Sequence, residues 1–382
     1  MLISGGVDSS VALRLLKDQG HDITAFYLKI WLEDELAYLG ECPWEEDLKY
    51  VEEVCKQADV PLEVVPLQRE YWDRVVSYTI AEAKAGRTPN PDIFCNQRVK
   101  FGAFFDRIDD SFEKVATGHY AQVSDQFSVF SDQQKKSYIL MMAPDGVKDQ
   151  TYFLSHISQQ QLSRLMFPIG HLKKLEVREL AEKYQLPNRH RKDSQGICFL
   201  GKVPFREFLR HHLGEKPGDF VEQSTGKVVG EHLGYWFYTV GQRKGLNLSG
   251  GPWFVVGKEV EKNVVYLANG YEPEAVYRDS FSIGEMHWIN EQFSVFSFQF
   301  SEKSQNSDQL KTENWPLKTG LFVKIRHGAA MHACRVEELQ GGGLRVFLEN
   351  KVHGVAPGQF GVFYVRLSEF EVVCLGGGMI TS

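Results

Sequence analysis

Apolar positions in the first half of this chain alternate between helical and strand spacing. Residues 11–20 keep a helical spacing that closes at Gly20, and Ile23 to Leu28 is a continuous, largely apolar run. The alternation continues with a helix from about Glu45 to Ala58, a strand from Leu62 to Leu67 and a helix from about Glu70 to Ala85. Lys114 to His119 then reads as a strand end entering a loop. Strands separated by helices predict an α/β domain, a doubly wound parallel sheet covered on both faces. Such sheets bind ligands at the carboxyl ends of their strands. Only Met1-Leu2-Ile3 stands before Ser4, so the first strand is either very short or entered part-way.

From about residue 205 helical spacing gives way to short alternating runs separated by glycines. Trp253–Val256, Val264–Leu267, Leu321–Ile325, Leu344–Leu348 and Gly361–Val365 predict antiparallel sheet or a small barrel. Ser301 to Thr319 is polar and reads as a loop. Gln126–Ser131 recurs once at Gln292–Ser297, which is too little for a repeat architecture. The expected domains are 1–200 (doubly wound), 201–275 (a mainly β linking domain) and 276–382 (a β-barrel-like domain).

Composition narrows the function classes. Of 382 residues, 43% are hydrophobic and 24% charged, ordinary for a soluble globular protein. No apolar run is long enough to span a bilayer, and no basic segment leads into an apolar one at the N-terminus. The six cysteines are scattered without CxxC or Cys/His clustering, so neither zinc nor a secreted disulfide framework is expected. A reducing cytoplasm is the expected setting, or a plastid or mitochondrion if more chain precedes residue 1. A net charge of −7 means that any polyanionic partner needs a local basic face.

Ser4-Gly5-Gly6-Val7-Asp8-Ser9-Ser10 carries the first chemistry. Small residues turning into a helix N-terminus aim backbone N–H groups and the helix dipole at an anion. No Lys-Ser/Thr follows at Walker spacing. The run resembles the pyrophosphate loop of enzymes that split ATP into AMP and pyrophosphate. Two cysteines carry the second chemistry. Cys95 follows the turn Thr88-Pro89-Asn90-Pro91-Asp92, with Arg98 and Lys100 nearby, and Cys198 follows Arg189-His190-Arg191-Lys192. Cations favour the thiolate, and a basic run favours an RNA phosphate. Taken alone, a cysteine is most often a small buried hydrophobe and a basic run a solvated face.

Together these motifs resemble the tRNA-specific 2-thiouridylases, pyrophosphate-loop enzymes of bacterial and organellar type that place sulfur on C2 of the wobble uridine. The resemblance rests on SGGVDSS (4–10), GRTPNPDIFCN (86–96), ATGHYA (116–121), KDQTYFL (148–154) and KDSQGICFLG (192–201). It continues through TVGQRKGL (239–246), VAPGQ (355–359) and CLGGGMI (374–380). It implies that ATP with Mg²⁺ is held by Ser4, Gly5, Gly6, Val7, Asp8 and Ser9, bordered by Leu28 and Gly118. AMP would be transferred to the uridine O2 and displaced by a persulfide sulfur carried on Cys198. Cys95 would resolve the link, leaving a Cys95–Cys198 disulfide, with Asp92 as acid/base. Asn90, Pro91 and Asp92 would meet the flipped base, and His119, Lys148, Asp149 and Gln150 would contact tRNA. Arg326, His327 and Gln359 are further implied tRNA contacts, although the stretch around Arg326 departs from the family pattern. Partners implied are the tRNA anticodon loop and stem and a persulfide donor, such as a cysteine desulfurase or sulfur relay protein. No metal site of the chain's own is implied.

Two rivals stand beside this reading. An AMP-forming amide ligase would share the ATP loop but needs no cysteine pair, and an RNA-binding module would need no ATP.

Overall fold

The computed structural model describes residues 1–30, 43–125, 137–193, 204–271, 273–290 and 320–382. Cys198, the polar stretch 301–319 and both copies of the QFSVFS run fall outside these residues, whole or in part.

The first strand is short and present. Ile3 N–H donates to Phe26 C=O at 3.0 Å and Phe26 N–H to Met1 C=O at 2.8 Å, while Leu2 N–H reaches Ala116 C=O at 2.8 Å. Residues 1–3 therefore lie between β1 (Ala25–Lys29) and β3 (Val115–Ala116). On the outside of β1 runs β2 (Leu62–Pro66), and β6 (Leu165–Met166) runs beside β3, both parallel to their neighbours. The order β2, β1, residues 1–3, β3, β6 is the doubly wound sheet that the alternating pattern predicts.

Helix Val7–Asp18 follows residues 1–3 and buries Val11, Ala12, Leu13 and Leu16. It starts four residues earlier than the apolar spacing indicates. Ser9 and Ser10 sit in its first turn because both hydroxyls bond back to Gly6 C=O, at 3.1 and 3.0 Å. Its end matches the expected stop, with Gly20 at φ +83° and His21 N–H returning to Leu16 C=O. Helix Pro43–Ala58 and a longer helix cover the sheet. The longer one runs Gln68–Tyr71, a π-helical stretch Trp72–Val76, and Ser77–Lys84.

The hairpin β4 (Ala121–Ser124) and β5 (Ile139–Met142) leaves the first domain and joins another sheet. Between these domains, β7 (Gly218–Glu222), β8 (Val228–His232), β9 (Trp253–Glu259) and β10 (Val264–Asn269) form a four-stranded sheet in the order β8-β7-β10-β9. The last domain holds β11 (Tyr277–Trp288), β12 (Leu321–Lys324), β13 (His332–Glu338), β14 (Leu344–His353), β15 (Phe360–Arg366) and β16 (Val372–Ile380). Their order β11-β14-β13-β12-β15-β16 closes on itself through β11–β16 pairing into a six-stranded barrel. β5 then pairs with β16, Cys374 opposite Leu140, so barrel and first domain share backbone hydrogen bonds.

Apolar packing continues that junction. Phe360 is buried against Phe94 and His156, with ring centroids 5.7 and 4.9 Å away, and its carbonyl accepts from Tyr152 Oη at 3.1 Å. Phe360→Ala would open a cavity where the two domains meet. It should lower unfolding free energy by ~3 kcal/mol or more, read as a drop in the denaturant midpoint.

Candidate functional site

Residues 4–9 form a bare backbone turn. Gly5 adopts φ +74°, and a Cβ there would lie 2.7 Å from Asp47 C=O. Gly6 is the N-cap of helix Val7–Asp18, and no side chain caps its first turn. The leading N–H groups of that helix are thus available to an anion. Ser4 is exposed, and its N–H and hydroxyl both meet the Ser9 hydroxyl, at 3.2 and 3.3 Å. Val7 is buried, so its side chain belongs to the core and only its backbone faces the turn. Gly118 closes the other side: a Cβ there would lie 2.7 Å from Ser9 N and 2.9 Å from Asp8 C. Only glycine lets the loop after β3 touch the helix start. Leu28 lies one residue before the end of β1, against the core beneath the same sheet edge.

A web of charge surrounds this turn. Asp8 Oδ1 accepts from Tyr120 Oη at 2.9 Å and Lys174 Nζ at 2.7 Å. Lys174 also meets Asp193 at 2.9 Å; Lys148 meets Asp193 at 2.7 Å, and Arg178 pairs with it as well. Burial alone would raise the Asp193 carboxyl, but hydrogen bonds from Lys148 and Lys174 prevail and hold it well below the usual carboxylate range. Arg191 donates to Gly5 C=O at 3.1 Å and pairs with Asp47. Asn188 Nδ2 reaches Gly5 C=O at 2.8 Å, while its buried Oδ1 has no hydrogen-bond partner among the described residues. Arg189 pairs with Glu182 at 3.2 Å. These two arginines of the 189–192 run therefore brace the turn at residues 4–9 and a neighbouring helix.

The cysteine loop is built where three domains meet. Thr88 N–H donates to Pro357 C=O at 2.8 Å and Thr88 Oγ1 to Thr239 Oγ1 at 3.3 Å. Gln359 Nε2 reaches Thr88 and Pro89 carbonyls at 3.3 and 3.1 Å, and its Oε1 accepts from Asn90 Nδ2 at 3.4 Å. Asn90 is buried, and Pro91 opens the short helix Pro91–Phe94, whose exit is Cys95. Cys95 is 1% exposed and begins a π-helical stretch, Cys95–Ala103, of the kind that recurs at functional sites. Asp92 lies half-buried on the same turn.

Other expected RNA contacts divide. Lys148 and Arg326 present cations, the former half-buried and the latter exposed. Gln150 exchanges two hydrogen bonds with the Tyr120 backbone, both 2.9 Å. His119 bonds Thr117 Oγ1 at 2.8 Å; burial, helped by the charge of Lys100, keeps its imidazole well below its ordinary pKa and neutral. His327 stacks on Phe153 at 4.6 Å and meets Asp149 C=O at 3.1 Å. Asp149 corrects the expectation most plainly. Its carboxylate is fully buried and bonded to Lys324 and Thr151, so it does not face solvent.

Family models match the chain in three consecutive stretches. They are a tRNA methyl transferase HUP domain over 1–202, a tRNA methyl transferase PRC-barrel domain over 206–269 and an aminomethyltransferase beta-barrel domain over 278–380. The tRNA-specific 2-thiouridylase MnmA of Parabacteroides distasonis is 44% identical, over 99% of this chain and 97% of its own. MnmA 1 of Bacteroides thetaiotaomicron is also 44% identical, over 100% and 98%. MnmA of Porphyromonas gingivalis is 42% identical, over 100% and 98%. The chain belongs to the tRNA-specific 2-thiouridylase family.

Sequence reasoning about this 2-thiouridylase-family chain missed Lys174, Asn188, Tyr120 and Lys324. Tyr120 sits inside the quoted ATGHYA motif and could have been asked for a partner. Lys174 reads as one more surface lysine, and nothing local marks it. Among the described residues no helix is long and apolar enough to cross a membrane, and no three His, Cys, Asp or Glu residues cluster as a metal site.

Gly118→Ala tests the turn. A methyl group against Ser9 N must displace the helix start, so ATP affinity should fall about tenfold or more while circular dichroism is unchanged. Unaltered ATP affinity by calorimetry would dissociate Gly118 from the nucleotide site.

Proposed function

We propose that this protein is a tRNA-uridine 2-sulfurtransferase that uses ATP to thiolate the wobble uridine. Identity of 44% across 99% of the chain with a named tRNA-specific 2-thiouridylase carries the reading. The uncapped turn at 4–9, coupled through Tyr120 and Lys174 to Asp8, supports ATP as the co-substrate. The methyl-transfer wording of the family models finds no support in that turn, which is shaped for phosphates.

The residues present fit ATP and Mg²⁺. Gly118 lets the loop after β3 close against Ser9, where a Cβ would clash, and the uncapped amides at the start of helix Val7–Asp18 are the donors that phosphate oxygens need. Mg²⁺ is commonly held by one or two carboxylates plus substrate phosphates, and Asp8 is the carboxylate in place. Bound there, the ion would shield the phosphate charge.

A uridine C2 carbonyl is a poor electrophile with a poor leaving group. Attack of its O2 on the α-phosphorus forms an O–P bond and releases pyrophosphate. The terminal sulfur of a Cys198 persulfide, loaded by a sulfur-donor protein, then attacks C2, and AMP departs with the original O2. The Cys95 thiolate attacks Cys198 Sγ, and the electron pair of the broken S–S bond remains on the transferred sulfur as the thiocarbonyl. A Cys95–Cys198 disulfide is left for a thiol reductant to open. Asp92, one helical turn from Cys95, acts as acid/base at the extruded base, for which Asn90 and Pro91 form the wall. Lys148, Arg326, His327 and Gln359 line the approach of the anticodon arm, where a single-stranded loop makes extrusion of the base easy.

The deciding experiment incubates tRNA with the protein, ATP, Mg²⁺ and a cysteine desulfurase supplied with cysteine as persulfide donor, then digests the RNA for nucleoside mass spectrometry. Wild type should yield 2-thiouridine and pyrophosphate, while Cys95→Ala and Cys198→Ser should yield no thionucleoside yet still bind tRNA. Full product from Cys198→Ser would remove the persulfide route, and wild-type protein that releases pyrophosphate without forming any thionucleoside would favour the amide-ligase alternative.

A further inference from the structure

Lys324 is an unusual barrel residue. It ends β12, its side chain is 0% exposed, and its Nζ lies 3.0 Å from Asp149 Oδ2, whose side chain is also 0% exposed. A buried ammonium is costly to desolvate and persists when its partners are built around it. Here they are: the Tyr364 ring centroid lies 5.1 Å from Nζ, and Thr151 Oγ1 bridges Asp149, at 2.8 and 3.0 Å, to Tyr364 Oη at 3.2 Å. Ala143 N–H also donates to Asp149 at 3.2 Å. Three residues along, His327 holds the Asp149 carbonyl at 3.1 Å. One short barrel segment thus grips both ends of a single first-domain residue.

Asp149 is the middle of a tripeptide whose neighbours point toward the ATP turn. Lys148 reaches Asp193, which shares Lys174 with Asp8. Gln150 pairs twice with the Tyr120 backbone, and the Tyr120 hydroxyl reaches Asp8. Two hydrogen-bonded routes therefore lead from the barrel's buried lysine to the same carboxylate at the helix start.

We infer that Lys324 is a positioning residue for the ATP site. Through Asp149 it fixes the 148–150 turn so that Gln150 holds Tyr120, and Lys148 through Asp193 holds Lys174, in register against Asp8. The inference rests on the pyrophosphate-loop reading of residues 4–9. Lys324 touches no substrate; it acts through the turn that it anchors.

Lys324→Met alone would leave a buried carboxylate uncompensated and destabilise the fold, so the informative protein is Lys324→Met/Asp149→Asn. Removing both charges of a buried pair is often neutral for stability. The double variant should melt near wild type yet bind ATP about tenfold more weakly, with kcat/KM for tRNA-dependent pyrophosphate release reduced at least as much. Calorimetric ATP affinity and turnover equal to wild type would show the pair to be structural only and overturn the inference. Wild-type protein that neither binds ATP nor releases pyrophosphate would instead overturn the functional reading.

Discussion

Everything at the nucleotide end depends on keeping one helix N-terminus bare. Helix Val7–Asp18 begins at a glycine cap without a side-chain acceptor, and its serine hydroxyls turn back onto Gly6 C=O instead of covering the amides. Its leading N–H groups, with a favourable dipole, are then open to an anion. That arrangement is unstable in isolation, so the surroundings hold it: Asn188 and Arg191 fasten Gly5 C=O, and Gly118 presses against Ser9. Asp8, within this positive end, is balanced by Lys174 and Tyr120.

The loop that carries Cys95 is held by different means. Residues 87–90 have little regular structure of their own: Thr88 donates to Thr239 of the linking domain and to the Pro357 carbonyl of the barrel, and Gln359 of the barrel donates back to the Thr88 carbonyl. Pro91 then starts a helix with its φ already set, and Cys95 follows one turn later at a fixed angle. The three domains therefore have a chemical reason to be together. Neither the linking domain nor the barrel carries Asp92 or Cys95, yet both define the shape of the loop that does.

Local charge matters more here than the net charge of −7. Arg178, Lys174 and Lys148 converge on one carboxylate, and Arg191 on another, which organises the turn at residues 4–9 without making the molecule basic. The interdomain Lys324–Asp149 pair applies the same logic in the dry interior, where each charge is tolerable because the other is present.

The doubly wound sheet was legible from alternating helix and strand spacing, since a parallel sheet buried on both faces leaves a continuous apolar signature. The glycine-serine turn at 4–10 was legible as a strand-to-helix turn with a free helix start, and the full-length motif order pointed to the family. Only Cys95 of the cysteine pair lies among the described residues, so the chain's own spacing remains the source for Cys198. The β4–β5 hairpin joining the barrel was not legible, because strand partners a hundred or more residues apart leave no local mark. For the same reason Asp149 looked like an RNA contact: an aspartate between lysine and glutamine reads as surface until a lysine 175 positions away is seen beside it. Sequence fixes what each segment prefers to be, through side-chain shape and polarity over a few residues. Which charges end up buried together is decided by tertiary packing alone, because desolvation and pairing depend on neighbours that the chain brings from far away.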